Sequence, residues 1–136
     1  MKNKVCFSMY LAIKEIINRY NEFLKPLDLT YTQYLVMNIL WEYDEVEMKS
    51  LCEKVCLDSN TLSPVINRLI KKNYVSKSKS KKDKRVIIIK ILEGGLALKE
   101  KAKEVHDKIY NMVNLNEIEK ENLVGTLEKI RTQLEK

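Results

Sequence analysis

Two groups of residues in this 136-residue chain could do chemistry: a cysteine near the N-terminus and a cluster of cations in the middle. Cys6 stands in "MKNKVCFSMY", with Lys2 and Lys4 close before it and Tyr10 one helical turn beyond. With Asn3 as the cap of a helix starting here, Cys6 falls in the first turn. Free backbone N–H groups and the positive dipole end then favour thiolate over thiol, and the thiolate is the form that peroxides attack. The product is a sulfenic acid, which condenses with another thiol or oxidises further. The plainer alternative is a small buried cysteine at a helix interface, with the tyrosines as ordinary amphipathic packing. Cys52 and Cys56 stand four apart and could share a helix face; with no histidine or acidic pair at ligand spacing, they read as core packing rather than a metal site. His106, the single histidine, has no cysteine or serine constellation beside it and reads as a surface residue, so nucleophilic catalysis lacks a base. No cofactor, metal site or enzymatic activity is expected.

The cations lie in "SKSKSKKDKRVIIIKI", Ser76 to Ile91, where Lys77, Lys79, Lys81, Lys82, Lys84 and Arg85 surround Asp83 and a β-branched run follows. The pattern predicts two strands joined by a charged loop, with Lys77, Lys79 and Lys81 on one face and the isoleucines holding the hairpin down. A lysine ladder also protects a solvated edge strand from aggregation. Its position decides: it directly follows a helix carrying Asn67, Arg68, Lys71 and Lys72, which favours contact with double-stranded DNA.

These groups need elements to hold them. Hydrophobic content of 45% with only 3 Gly and 2 Pro suits one folded, helix-rich domain, and a net charge of +6 favours an anionic partner, nucleic acid or a membrane surface. The apolar runs are too short to span a bilayer, and the N-terminus lacks an apolar signal core, so a cytoplasmic protein with no membrane partner is expected. Three cysteines cannot all pair, which suits free thiols in a reducing compartment.

Val5, Met9, Ile13, Ile16, Ile17, Tyr20 and Leu24 predict a helix from Val5 to Leu27 that Pro26 helps to end. Thr30 and Gln33 have capping-box spacing and open a second helix reaching about Tyr43. After an acidic "DEVE" link, Met48–Val55 reads as a short helix, "CLD" as a turn, and Ser59–Asn73 as another helix; Pro64 fits if the first turn begins at Asn60 or Thr61. Two helices and a tight turn outline a helix-turn-helix, and the hairpin after them a wing. Leu98, Ala102, Val105, Ile109 and Met112 form one apolar stripe. After a cap at Asn116 with Glu119, Leu123, Leu127, Ile130 and Leu134 form another. These stripes suit a homodimer, an intramolecular helical core, or both. The expected fold is mainly α with a small β-hairpin wing (α+β): one domain over 1–136, with a winged helix-turn-helix lobe at 30–92 and dimerisation helices at 1–27 and 95–136.

The order helix-turn-helix, then "SKKDKRVIIIKILEGG" with Asp83-x-Arg85, resembles the MarR family of winged helix-turn-helix regulators essentially end to end. "CFSMY", "NRY", "LDLTYTQYL" and "LDSNTLSPVINRL" are similar to its organic-hydroperoxide-resistance branch (OhrR) and the staphylococcal MgrA and SarZ relatives. The resemblance implies that the helix from Ser59 enters the major groove, with Ser59, Thr61, Ser63 and Arg68 near bases and phosphates and Asn60, Pro64, Asn67 and Lys71 on the same reading helix. It implies that Arg85 reaches the minor groove, oriented by Asp83 and flanked by Lys81, Lys82 and Lys84. It further implies that Cys6 is held by the hydroxyls of Tyr20 and Tyr31 across a dimer interface, with Tyr10 lining the site. With no cysteine after Cys56, this would be the one-cysteine type, whose sulfenate is capped by a small thiol as a mixed disulfide. Relatives usually carry a basic residue where Asn67 stands, which bears on operator preference, and a threonine where Leu92 stands, which weakens the next helix cap.

Three functions compete. The leading one is a dimeric transcription regulator, a repressor, that binds a pseudo-palindromic operator and releases it when Cys6 is oxidised. The second keeps the DNA binding but responds to a small aromatic ligand held between the two lobes. The third, a thiol peroxidase using Cys6, lacks an evident arrangement to activate a peroxide oxygen.

Overall fold

The N-terminal apolar spacing winds Lys4–Leu24 into a single 21-residue helix, α1, and Lys25–Leu27 continues as one 3-10 turn around Pro26. The computed structural model describes residues 4–135. Asp28 then takes a left-handed conformation (φ 54°), and α2 spans Tyr31–Tyr43 behind the expected capping box, in which Thr30 and Gln33 each bond the other's backbone N–H. The helix-turn-helix pair is α3, Met48–Val55, and α4, Ser59–Lys71. Residues 93–134 form a four-residue helix, α5 (Glu93–Leu96), and two long ones, α6 (Lys99–Val113) and α7 (Glu117–Leu134). Asn116 and Glu119 cap α7 reciprocally, whereas Leu92 offers α5 no side-chain cap.

The "DEVE" segment is not a plain link. Glu45–Glu47 is a strand, β1, and pairs antiparallel with β3 (Ile87–Ile91), which in turn pairs with β2 (Val75–Lys79) in the order β1-β3-β2. Three residues with two glutamates carry no strand pattern of their own; the open edge of β3, meeting Val46 at Ile89, makes them one. The hairpin register sets Val75 opposite Ile91 and Lys79 opposite Ile87. Ile89 and Ile91 face the core, Lys90 faces solvent, and Lys81 lies beyond the strand in the tip, off the ladder of Lys77 and Lys79.

The core gathers Leu24, Val36, Met37, Leu40, Leu51, Leu62, Ile66, Leu69, Val75 and Ile89, all at or near zero exposure. Full burial of each larger side chain contributes about 1.5–3 kcal/mol. Gly95 lets the chain pass close to this core. A Cβ there would meet the Tyr74 carbonyl and come 2.8 Å from Met37, and the Gly95 carbonyl accepts the Trp41 indole N–H at 2.9 Å.

The apolar stripe of α6 differs from expectation. Ala102, Val105 and Ile109 are buried within the chain against α1, so only Met112 of that stripe is left exposed, together with neighbouring Tyr110 and Val113. Helix α7 buries none of its described residues and presents Leu123, Val124, Leu127 and Leu134. The first half of α1 is equally bare at Val5, Phe7, Leu11 and Ile13.

Candidate functional site

The reading helix starts at Ser59, as expected. Asp58 is its cap: Oδ1 accepts the Thr61 backbone N–H at 2.7 Å, and this bond holds the Asp58 carboxyl below the usual carboxylate range. Pro64 therefore lies in the second turn rather than the first. Lacking an N–H, it leaves the Asn60 carbonyl without its helical donor, on a face where both residues are open to water. Asn60, Pro64, Asn67, Arg68 and Lys71 are exposed and follow helical spacing along one side; Leu62, Ile66 and Leu69 are buried on the other. Ser59 and Thr61 are exposed in the first turn, with Ser63 half-buried just beyond. Lys72 turns away from this face, donating to the Asp28 carbonyl at 2.6 Å and to Gln33 Oε1 at 3.0 Å. Tyr74 likewise donates its hydroxyl to the Leu27 carbonyl at 2.9 Å, so the end of the reading helix is tied to the end of α1.

At the wing tip, Ser80 N–H bonds the Val86 carbonyl at 2.8 Å and Val86 N–H the Asp83 carbonyl at 3.0 Å. Arg85 donates its backbone N–H and Nε to Asp83 Oδ1 (3.0 and 3.1 Å) and Nη2 to Oδ2 at 3.2 Å. The guanidinium, more than the backbone N–H, holds the Asp83 carboxyl below its ordinary range. The Arg85 side chain stays 92% exposed. Lys81, Lys82 and Lys84 surround it, all exposed. Asp83 thus fixes the direction of an arginine that points into solvent.

The thiol residues are not brought together within one chain. Cys6 is exposed on the first turns of α1, where Phe7 and Tyr10 stack with centroids 6.3 Å apart; Lys2 and Asn3 lie outside the described residues. Tyr20 is fourteen residues along the same helix, roughly 21 Å of helical rise away. There it is buried, packed on Tyr31 and Tyr34 at centroid distances of 5.0 and 5.1 Å. Burial first, then Tyr34, pushes the Tyr20 phenol far above its ordinary value, and burial also raises that of Tyr31. Tyr31 is further held by Asn21, whose Oδ1 accepts its backbone N–H at 2.7 Å.

Two members of this cluster escaped the sequence reading. Tyr34, three residues after Tyr31, was readable as a helical neighbour. His106 is exposed by area, as expected of a surface residue, yet its Nδ1 lies 3.1 Å from Tyr20 Oη across 86 residues of sequence. No local signal announces that pairing. A groove of about 620 Å³ between α2 and α6 runs beside it, lined by Tyr34, Trp41, Glu42, Lys99, Lys103 and His106. Cys52 packs half-buried against the core, but Cys56 is exposed, not core, because the chain leaves α3 there in a left-handed conformation (φ 56°). Among the described residues no cluster of His, Cys, Asp and Glu could hold a metal ion, and no helix is long and apolar enough to cross a membrane.

Comparison with known proteins gives a consistent placement. The family profile described as transcriptional regulator SarA/Rot matches residues 18–109. The HTH-type transcriptional regulator SarZ of Staphylococcus aureus (strain MRSA252) is 38% identical over 127 residues, covering 93% of this chain and 86% of the relative. AbfR of Staphylococcus epidermidis has been solved reduced and bound to DNA; that structure is 30% identical, covers 99% of this chain and 94% of its own, and superposes with a TM-score of 0.85. A disulfide-formed AbfR is 31% identical with a TM-score of 0.73, covering 95% of this chain and 90% of its own. With the helix-turn-helix, the three-stranded wing and this match over most of its length, the chain belongs to the SarA/Rot family of winged-helix, MarR-like transcriptional regulators, which are DNA-binding proteins and not enzymes.

Proposed function

We propose that the chain acts as a homodimeric repressor that holds a pseudo-palindromic operator while Cys6 is reduced and releases it when Cys6 is oxidised. A single observation carries the redox part: Cys6 and the Tyr20–Tyr31 cluster sit at opposite ends of α1, and the apolar residues of the helix's first half, around Cys6, are bare. Two copies packed head to tail along α1, with α7 and the exposed end of α6 closing over them, would set each Cys6 against the other copy's tyrosines. The same packing would place two α4 helices about one DNA turn, roughly 34 Å, apart. A regulator of this kind works in the cytoplasm, with the DNA.

In the groove, the first turn of α4 would meet phosphates with Ser59, Thr61 and Ser63 and the helix dipole, while Arg68 and Lys71 add charge and Asn60, Pro64 and Asn67 face base edges. Arg85, aimed by Asp83, suits the strong negative potential of a narrow minor groove, and Lys81, Lys82 and Lys84 neutralise phosphates beside it.

At the sensor, the Cys6 thiolate would give an electron pair to the terminal oxygen of an organic hydroperoxide. An S–O bond forms as the O–O bond breaks; sulfur is oxidised by two electrons, the peroxide is reduced by two, and the departing alkoxide takes a proton from water. A small thiol then attacks the sulfenic sulfur, forming a mixed disulfide and releasing water. AbfR has been solved bound to DNA both reduced and overoxidised. The bulkier mixed disulfide between the N-terminal helices is the releasing species proposed here.

The test is operator binding with and without an organic hydroperoxide and a small thiol, on wild type and Cys6→Ser. Wild type should release DNA under oxidation, and Cys6→Ser should stay bound. Release of Cys6→Ser by peroxide would place the sensor elsewhere. The groove between α2 and α6 supports a second reading, because its volume and its Tyr34 and Trp41 lining suit a small aromatic ligand. That reading takes over if an aromatic acid releases DNA from Cys6→Ser while peroxide leaves wild type bound.

A further inference from the structure

The hydroxyl assigned to the thiolate already has a partner. Tyr20 Oη lies 3.1 Å from His106 Nδ1, with the Tyr34 ring stacked alongside, and burial keeps the Tyr20 phenol protonated well beyond neutrality. A phenol has one proton to donate, and it can go in only one direction at a time. A neutral imidazole carrying its hydrogen on Nε2 accepts that proton at Nδ1. A protonated imidazole cannot accept it; its Nδ1–H donates to Tyr20 Oη, and the phenolic O–H is turned elsewhere.

We propose that His106 is a positioning residue of the thiol sensor, whose protonation redirects the Tyr20 hydroxyl from His106 toward the Cys6 thiolate of the second copy. The inference rests on the Cys6 reading above and adds to it a dependence on pH. The ring is set among opposed charges: Tyr20 faces it from α1, Tyr34 and Glu42 flank it from α2, and Lys99, Glu100 and Lys103 share its groove from α6. Tyr110, one turn further along α6, stacks on it with centroids 6.0 Å apart. Two lysines and two glutamates thus share the groove with the ring. With His106 protonated, Tyr20 would support the thiolate as a charge-assisted donor. With His106 neutral, it would be withdrawn.

The experiment uses the full-length protein with Cys52→Ser and Cys56→Ser, so that only Cys6 reports, and follows sulfenate formation by an organic hydroperoxide with a sulfenate-trapping probe from pH 5.5 to 8.5. His106→Lys is the diagnostic variant, because an ammonium is a donor at every pH in this range. It should match the parent near pH 6 and react about tenfold faster at pH 8, the factor set by one charge-assisted hydrogen bond of about 1.4 kcal/mol. Adding Tyr20→Phe should abolish that gain, which separates redirection of the hydroxyl from a bare effect of positive charge. His106 is exposed, so folding should survive, and thermal melts of the variants check it. Superimposable profiles for parent and His106→Lys, or a gain that persists with Tyr20→Phe, would overturn the role of His106 while leaving the sensor intact. A parent protein whose Cys6 is not oxidised at any pH would overturn the underlying Cys6 reading instead.

Discussion

Asp83 and Arg85, two residues apart in a charged loop, make three hydrogen bonds to one another and still leave the guanidinium open. Replacing Arg85 with Ala should weaken operator binding about ten- to a hundredfold, the range for a specific groove contact, and fluorescence anisotropy on the true operator checks it. Wild-type affinity in that variant would remove the wing from the interface. Tyr20 carries a second prediction, in pH. Its folded value is raised above the ordinary 10.0, so an unfolded Tyr20 loses its proton before a folded one. Its contribution to stability is therefore complete below pH 10 and is lost as pH rises beyond. Melting temperature should fall above pH 10, and Tyr20→Phe should make that alkaline fall shallower. An unchanged alkaline slope would show that the phenol is not confined as described.

Helix α4 shows what local pattern can and cannot say about an element. The sequence read its start at Ser59 and its extent to within about two residues, but Asp58 and Ser59 are both good caps, and only the bond from the Thr61 N–H makes Asp58 the cap. Pro64 consequently interrupts the helix one turn in. Pro64→Ala should restore the bond to the Asn60 carbonyl and stabilise the fold by roughly 1–3 kcal/mol, read by chemical denaturation. A loss of stability would mean that proline's restricted backbone matters more than the missing donor. Strand β1 was missed for the opposite reason: its residues have no strand preference, and pairing with β3 supplies all of its order. The capping boxes at Thr30 and Asn116 were legible because each is complete within four residues.

For the whole molecule, the uncovered apolar surface on α1 and α7 is the property that calls for a second copy. Leu127→Glu should dissociate the dimer at micromolar concentration without unfolding the chain, because Leu127 is 38% exposed and α7 buries no described residue within the chain. Sedimentation velocity and circular dichroism together check it, and operator affinity should fall in parallel. A monomeric wild type that binds a palindrome at full affinity would contradict the architecture. Two basic wings and two reading helices also make affinity steeply dependent on salt, with a log–log slope of about 0.9 per phosphate neutralised. A flat response between low and moderate salt would argue against phosphate contacts by the lysines of the tip.

The sequence by itself determined the helices, the helix-turn-helix, the hairpin, its charged tip and the position of Cys6 at the start of α1, because each depends on periodicity, caps or neighbours only a few residues away. Tertiary structure alone decided what lies far apart in the chain. It turned the α6 stripe inward against α1 and left α7 bare, since an apolar stripe has the same pattern whether its own chain or another covers it. It drew β1 into the sheet and withdrew Lys72 from the reading face to bind Asp28 and Gln33. It set His106 against Tyr20, where a residue indistinguishable from a surface histidine in sequence becomes the partner of a buried phenol, because hydrogen bonds between distant segments depend on packing and leave no local trace.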